Sequence, residues 1–210
     1  VNVGNMTINN LEGTFEAWVR VLRDPSDAGQ GFILWMGNKS GNGWGSQQEI
    51  HLTAGTTSSQ NNFSIFLTNS TNSNGTSGGG PITLGKWYHL VGTWKQNDWI
   101  KLYVDGILVS SAILNFSINA GEWNYTYIGR PGASTRFFNG TIDEVAIWNR
   151  SLSATEVLNH YQLGDGRYYW KVNVSDGAYS NMSNISEFSV YTIIPNATIG
   201  KNTSQIINGL

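Results

Sequence analysis

Along most of this chain, apolar and polar residues alternate in short segments, separated by clusters of Gly, Asn and Ser at intervals of roughly ten residues. That period points to strands whose two faces differ and predicts an all-β, two-sheet antiparallel sandwich. The segment 14–22 (TFEAWVRVL) places Phe15, Ala17, Val19 and Val21 on one face. Further strands are expected over 31–36, 48–53, 63–68, 87–94, 100–104, 107–111, 125–129 and 141–148. Asp105-Gly106, between two β-rich runs, is the strongest hairpin signal because a type I′ turn needs positive φ at both central positions. The stretch 69–80, made of Asn, Ser, Thr and Gly, reads as a low-complexity mobile loop.

One helix breaks the β pattern, near residues 153–162. Ser153 is a good N-cap with Glu156 three positions on, a capping box, and Leu152 and Val157 are placed for a hydrophobic staple. Leu158 and Tyr161 share a face, so the helix is expected to lie on the sandwich as a cover. Past it, 168–175 and 185–191 form a second, hairpin-like unit. This gives a domain at 1–163, a β-hairpin extension at 164–192, and a polar tail or inter-subunit strand at 193–210. Two strands alone are not stable in water, so the extension is expected to be completed by the first domain or by a neighbouring subunit through β-strand addition.

Composition changes the picture of the surface. Only 12% of the 210 residues are charged and the net charge is -2, so no basic track exists for nucleic acid. No apolar run reaches the length of a membrane span, and a chain beginning at Val1 with no signal-peptide core reads as a mature product or a fragment. There is no cysteine, which excludes disulfides and thiolate metal sites. Hydration falls to 24 Asn, 21 Ser and 17 Thr, while 9 Trp, 9 Tyr and 8 Phe supply enough apolar area to rule out general disorder.

The Asn residues carry a second signal. Asn-x-Ser/Thr acceptors occur at Asn5, Asn38, Asn62, Asn69, Asn74, Asn115, Asn124, Asn139, Asn149, Asn173, Asn181, Asn184, Asn196 and Asn202, 14 in all. Random pairing of these residue types gives about 4. The surplus predicts an exported, N-glycosylated protein of the extracellular face or cell surface, in which sugar rather than charge covers the exterior.

Five motifs in order, 15–20 (FEAWVR), 85–94 (GKWYHLVGTW), 101–106 (KLYVDG), 128–130 (IGR) and 140–153 (GTIDEVAIWNRSLS), resemble the laminin-G-like, concanavalin A-like jelly-roll family over residues 1–163. The resemblance implies a jelly roll used outside cells for glycan or protein binding, with a structural calcium near Asp143. It also implies a strand before Phe15, for which only Val1 to Asn10 are available. Residues 168–191 resemble the closing strands of immunoglobulin-like or fibronectin-like modules of archaeal and bacterial surface proteins.

Catalysis finds little support in the residues. The Glu-x-Asp-x-x-Glu carboxylate string of related glucanases does not occur. Asp143 and Glu144 are adjacent on a strand, and Glu12 and Glu16 lie about 13 Å apart, too far to flank one glycosidic bond as most pairs do. His51, His89 and His160 have no metal-ligand spacing and read as packed or surface histidines. Trp44 and Trp123, in loop-like settings, are the candidates for stacking on a sugar ring, with core packing the open alternative. Trp18, Trp87, Trp94 and Trp148 fall in strands and read as core. The function expected is a non-catalytic structural or adhesion module, in a surface protein or a filament subunit. The alternative is a carbohydrate-binding module attached to a secreted enzyme.

Overall fold

The computed structural model describes residues 1–4, 11–25, 31–38, 48–55, 61–69, 71–118, 123–131 and 136–162, and the backbone of four strands beyond them. The chain divides into two compact units, Val1–Tyr161 and Gln162–Leu210. Unit one holds two five-stranded antiparallel sheets. Sheet one runs in the order β10 (Gly140–Trp148), β1 (Glu12–Val21), β6 (Trp87–Lys95), β7 (Asp98–Val104), β8 (Ile107–Leu114). Sheet two runs β5 (Ser73–Gly78), β4 (Phe63–Thr68), β3 (Glu49–Ala54), β2 (Gly31–Gly37), β9 (Tyr125–Ile128). This is the two-sheet sandwich that the alternation predicts and the jelly roll that the family resemblance implies.

The inner faces meet as the pattern requires. Phe15, Ala17, Val19 and Val21 of β1 are buried, against Ile50, Leu52, Ile65 and Leu67 of sheet two. Trp94 and Phe15 pack edge to face with ring centroids 5.3 Å apart. Two glycines make this layer possible. A Cβ on Gly13 would sit 2.3 Å from the Trp94 ring, and one on Gly92 would sit 2.3 Å from Ile65 of the opposite sheet. Gly92 thus sets how closely the sheets approach.

Within the stretch expected as a loop, 69–80, residues 73–78 instead form β5, and the Asn69 amide donates to the Asn72 carbonyl at 2.8 Å just before it. The strand is held by backbone pairing with β4 from Thr68↔Ser73 to Phe63↔Gly78, not by apolar side chains, so no periodicity betrays it. Gly75 is required there, because a Cβ would meet the Ile65 carbonyl and the Phe66 ring. At this side of the sandwich β5 stands beside β8, with the Thr76 and Ser110 hydroxyls bonded to each other and Asn74 Nδ2 donating to the Ile113 carbonyl.

The other edges are also occupied or interrupted. Residues 1–3 make an isolated antiparallel bridge to β9, Asn2 opposite Tyr127, where the Val3 amide donates to Thr126 and the Ile128 amide to Val1. On β10 an extra residue between the pairs Glu16↔Ala146 and Trp18↔Asp143 makes a bulge, and Glu144 in it has φ 46°. The Asp105-Gly106 turn has φ 51° and 78°, as a type I′ hairpin demands.

Helix α1 (Ala154–Tyr161) starts as expected. The Ser153 amide donates to Glu156 Oε2 at 2.8 Å, and the Glu156 amide to Ser153 Oγ at 3.3 Å. Arg150, 2.7 Å from the same carboxylate, together with Ser153, holds Glu156 well below the usual carboxylate range, at about 2. Leu152 and Val157 are buried with Val91 and Tyr103 on the outer face of sheet one. Leu158, expected on the buried side, is 37% exposed, because the contact is made by Val157 and the staple.

In unit two, β11 (Gly166–Trp170) pairs with β14 (Ser186–Val190), and β12 (Asn173–Ser175) with β13 (Ser180–Met182). The two ladders are nested in sequence. Replacing the fully buried Trp94 with Ala should destabilise unit one by about 3–5 kcal/mol through the cavity it leaves. Urea denaturation of the full chain checks this, with the loss expected in the midpoint rather than the slope.

Candidate functional site

The outer faces of the two sheets are built differently. On sheet one, alternation places Glu16 of β1 outward, beneath α1. Its carboxylate is 6% exposed and accepts three hydrogen bonds: from His89 Nε2 of β6 at 2.8 Å, from Trp148 Nε1 of β10 at 2.7 Å, and from His160 Nδ1 of α1 at 3.0 Å. Trp18 and Tyr161 stack beside it, 5.9 Å apart. Burial pushes the Glu16 carboxyl up, but the bonds from His89 and Trp148 and the pull of His160 and His89 outweigh it and hold it below its ordinary value. The group ties three strands to the helix and closes this face.

Sheet two carries no described helix. Its outer positions hold aromatic rings in register across four strands: Phe66 of β4 opposite His51 of β3, His51 opposite Trp35 of β2, and Trp35 opposite Tyr127 of β9. His51 stacks on Phe66 at 5.6 Å and meets Phe32 edge-on at 5.0 Å. Trp35 and Tyr127 are 5.8 Å apart, Tyr125 lies parallel to Tyr127 at 6.4 Å, and the Arg130 guanidinium sits 4.8 Å over the Tyr127 ring. The belt ends at Gly75, opposite Phe66. Trp35, His51 and Tyr127 are themselves buried, while Phe66, Tyr125, Glu49 and Arg130 are half-buried and present polar and aromatic edges outward.

Glu49 accepts the Trp35 indole N–H at 2.9 Å, and burial pushes its carboxyl up despite that bond. Burial, reinforced by the Arg136 cation, pushes His51 down to about 3. Its 3.8 Å approach to Glu49 is therefore a contact of a neutral imidazole rather than an ion pair, and Nδ1 is left buried without a hydrogen bond. The belt can offer ring edges, a carboxylate and a guanidinium to a hydroxyl-rich ligand, and it holds no nucleophile aligned with a base.

The residues singled out from sequence land elsewhere. Trp44 lies outside the described residues. Trp123 is 4% exposed within the main core, so it is no stacking platform: burying a large indole outweighs its place next to a loop. Of the strand tryptophans, Trp94 is core, Trp18 and Trp148 are half-buried on the helix side, and Trp87 is 36% exposed under Arg20. Asp143 is exposed and its Oδ1 accepts the Glu144 amide at 2.9 Å. Among the described residues no three His, Asp or Glu side chains converge on a metal position. Calcium needs six or more oxygens, and residues 5–10 of the N-terminal segment, expected to supply carbonyls beside Asp143, lie outside the described residues.

Asn5, Asn184, Asn196 and Asn202 fall outside the described residues, and Asn173 and Asn181 lie in strands whose side chains are not described. Asn115, Asn124, Asn139 and Asn149 are exposed, and Asn38, Asn62, Asn69 and Asn74 half-buried. Sequence reasoning missed the belt and Glu16. A signal for the belt existed, since 32–36 (FILWM) and 63–67 (FSIFL) put aromatic residues where a solvent-facing strand position is usually polar.

Two sheets packed through an apolar interior, one outer face sealed by a helix and the other aromatic, define a lectin-like jelly roll. A laminin-G family model of the concanavalin A-like lectin/glucanases superfamily matches residues 1–158, and the chain belongs to this family. Similar solved structures include domain 4 of an extracellular GH43 arabinanase from Geobacillus stearothermophilus in complex with arabinotriose, with TM-score 0.58 and 17% identity over 75% of this chain and 70% of that one. The CBM40 of the Ruminococcus gnavus IT-sialidase bound to α2,3 sialyllactose gives TM-score 0.59 and 15% identity over 74% of this chain and 84% of that one. At these identities the likeness concerns the fold. Human adhesion G-protein coupled receptor D1 is 29% identical over 85 residues, 39% of this chain and 10% of the receptor, so the match spans about a tenth of that protein.

His51 and Glu16, both buried, give separable acid responses. His51 is depressed in the fold, so the unfolded chain binds the extra proton between its ordinary value of 6.5 and about 3. Stability should be complete above pH 6.5 and fall by a few kcal/mol toward pH 3. His51→Phe should flatten that window in pH-dependent melts. Glu16, also depressed, contributes stability above the ordinary carboxylate range that is lost as pH falls through its folded value. Glu16→Gln should cost about 1–3 kcal/mol at pH 7 and progressively less in more acid solution.

Proposed function

We propose that unit one is a non-catalytic extracellular binding module that recognises a glycan on the outer face of sheet two, and that the chain serves adhesion at a cell surface. The observation that carries this reading is the belt Phe66, His51, Trp35 and Tyr127, rings in register across four strands on the face that no described helix covers. Phe32, Trp35 and Tyr127 form a small packed cluster of their own, so the surface open to a ligand is the half-buried Phe66 and Tyr125 with Glu49 and Arg130 beside them. Such a surface suits a ligand with apolar ring faces and hydroxyl rims. The belt runs across the strands, so an extended oligosaccharide would lie perpendicular to them, meeting the half-buried Phe66 and Tyr125 first.

Arabinotriose and α2,3 sialyllactose, bound by two proteins of similar fold, support a glycan over a protein ligand. The sequon surplus supports export and N-glycosylation of the module itself. Assembly into filaments through terminal strands has less behind it, because in unit one β5 stands against β8, β9 is capped by Val1–Val3 and β10 is bulged. A glycan array probed with the full chain tests the reading. Binding is expected to one family of oligosaccharides and to fall at least tenfold for the double variant F66A/Y125A. A parent protein that binds nothing on a broad array, while folded by its melting curve, would overturn it.

A further inference from the structure

On the reading of this chain as an exported glycoprotein, we infer that the fold sorts its glycan acceptors, with Asn115 and Asn139 carrying sugar and Asn69 and Asn74 remaining bare. N-glycosylation joins Nδ2 to the anomeric carbon of an oligosaccharide carried on a lipid phosphate or pyrophosphate. The Nδ2–C1 bond forms, the C1–O bond to the phosphate breaks, one Nδ2 proton is lost to base, and the lipid phosphate departs. The acceptor nitrogen must therefore stand in solvent and give up a hydrogen, with room for a sugar on that side.

Asn115 and Asn139 meet this demand. Both are exposed and neither side chain makes a hydrogen bond among the described residues, while the backbone around each is held. Leu114 and Phe116 flank Asn115 and are buried in the core, and the Asn139 carbonyl accepts the Leu22 amide at 3.0 Å. Each amide is thus displayed from a fixed base.

Asn69 and Asn74 are used in another way. Asn69 Nδ2 donates to the Ser117 carbonyl at 2.9 Å, and its Oδ1 accepts the Asn72 and Thr71 amides at 2.7 and 3.0 Å. Asn74 Nδ2 donates to the Ile113 carbonyl at 2.5 Å, and its Oδ1 accepts the Gly75 amide at 2.8 Å. Both side chains are half-buried. Each nitrogen crosses from the β4–β5 side of sheet two to β8 or the loop after it in sheet one. Beside them Thr76 and Ser110 join the same two edges. A sugar on either nitrogen leaves it one N–H to donate, but the sugar must find room beside a half-buried nitrogen held against a carbonyl of the other sheet, whereas Asn115 and Asn139 stand exposed.

Site-resolved glycopeptide mapping of the native protein, combined with four single Asn→Gln variants made in a glycosylating host, tests this. N115Q and N139Q should each remove one glycan's mass and leave the melting temperature unchanged. N69Q and N74Q should leave the glycan mass unchanged and lower the melting temperature by about 2–5 °C. A glycan on Asn69 or Asn74, or bare Asn115 and Asn139 in a protein glycosylated elsewhere, overturns the sorting. A chain bare at every acceptor overturns the glycoprotein reading along with it, which tells the two failures apart.

Discussion

Everything in unit one is arranged around the contact between two sheets whose facing side chains must interlock without voids. The interlock depends on where side chains are missing as much as on where they are present. Trp94 can turn edge-on to Phe15 because Gly13 leaves the space that its ring occupies, and Ile65 can reach into sheet one because Gly92 offers no Cβ. A sandwich core about 10 Å thick tolerates little change in volume. The strands on either side of these residues therefore have one workable register, and register decides which side chains turn outward.

The outer faces follow from that register, and they take opposite solutions. Glu16, Trp18 and His89 face away from the core of sheet one and are covered by α1, which anchors to them through His160. A buried carboxylate with three donors is stable because every one is aimed at it, and for that reason the face is closed to ligands. On sheet two the outward register yields rings beside Glu49, and these pack against one another with no helix over them among the described residues. The candidate binding face is thus a consequence of strand register rather than of a special loop.

How much of this could be read from the chain depends on which force fixes each part. Strands β1 to β4 and β6 to β10 were visible because side-chain alternation is their cause, and the capping box of α1 because its two partners are three residues apart. Strand β5 was invisible, since backbone bonds to β4 and a Gly that must lack a Cβ sustain it, and neither leaves an apolar pattern. The Glu16 cluster could not be found by motif spacing: His89 and His160 lie 73 and 144 residues from the carboxylate they share. Loop tryptophans carry the obvious signal for sugar stacking, yet Trp123 is interior, while the outward aromatic residues of sheet two are hidden in strands whose sequence looks like core.

The bulge at Glu144 and the isolated bridge on β9 acquire weight from the scarcity of charge. Proteins commonly stay apart in crowded surroundings through like-charge repulsion, and a chain at net charge -2 has almost none. Its colloidal behaviour must then rest on geometry. In unit one a sheet that ends in an irregular strand or a paired one gives a poor template for its neighbour, so copies of this unit can stand close together without zipping into a continuous sheet.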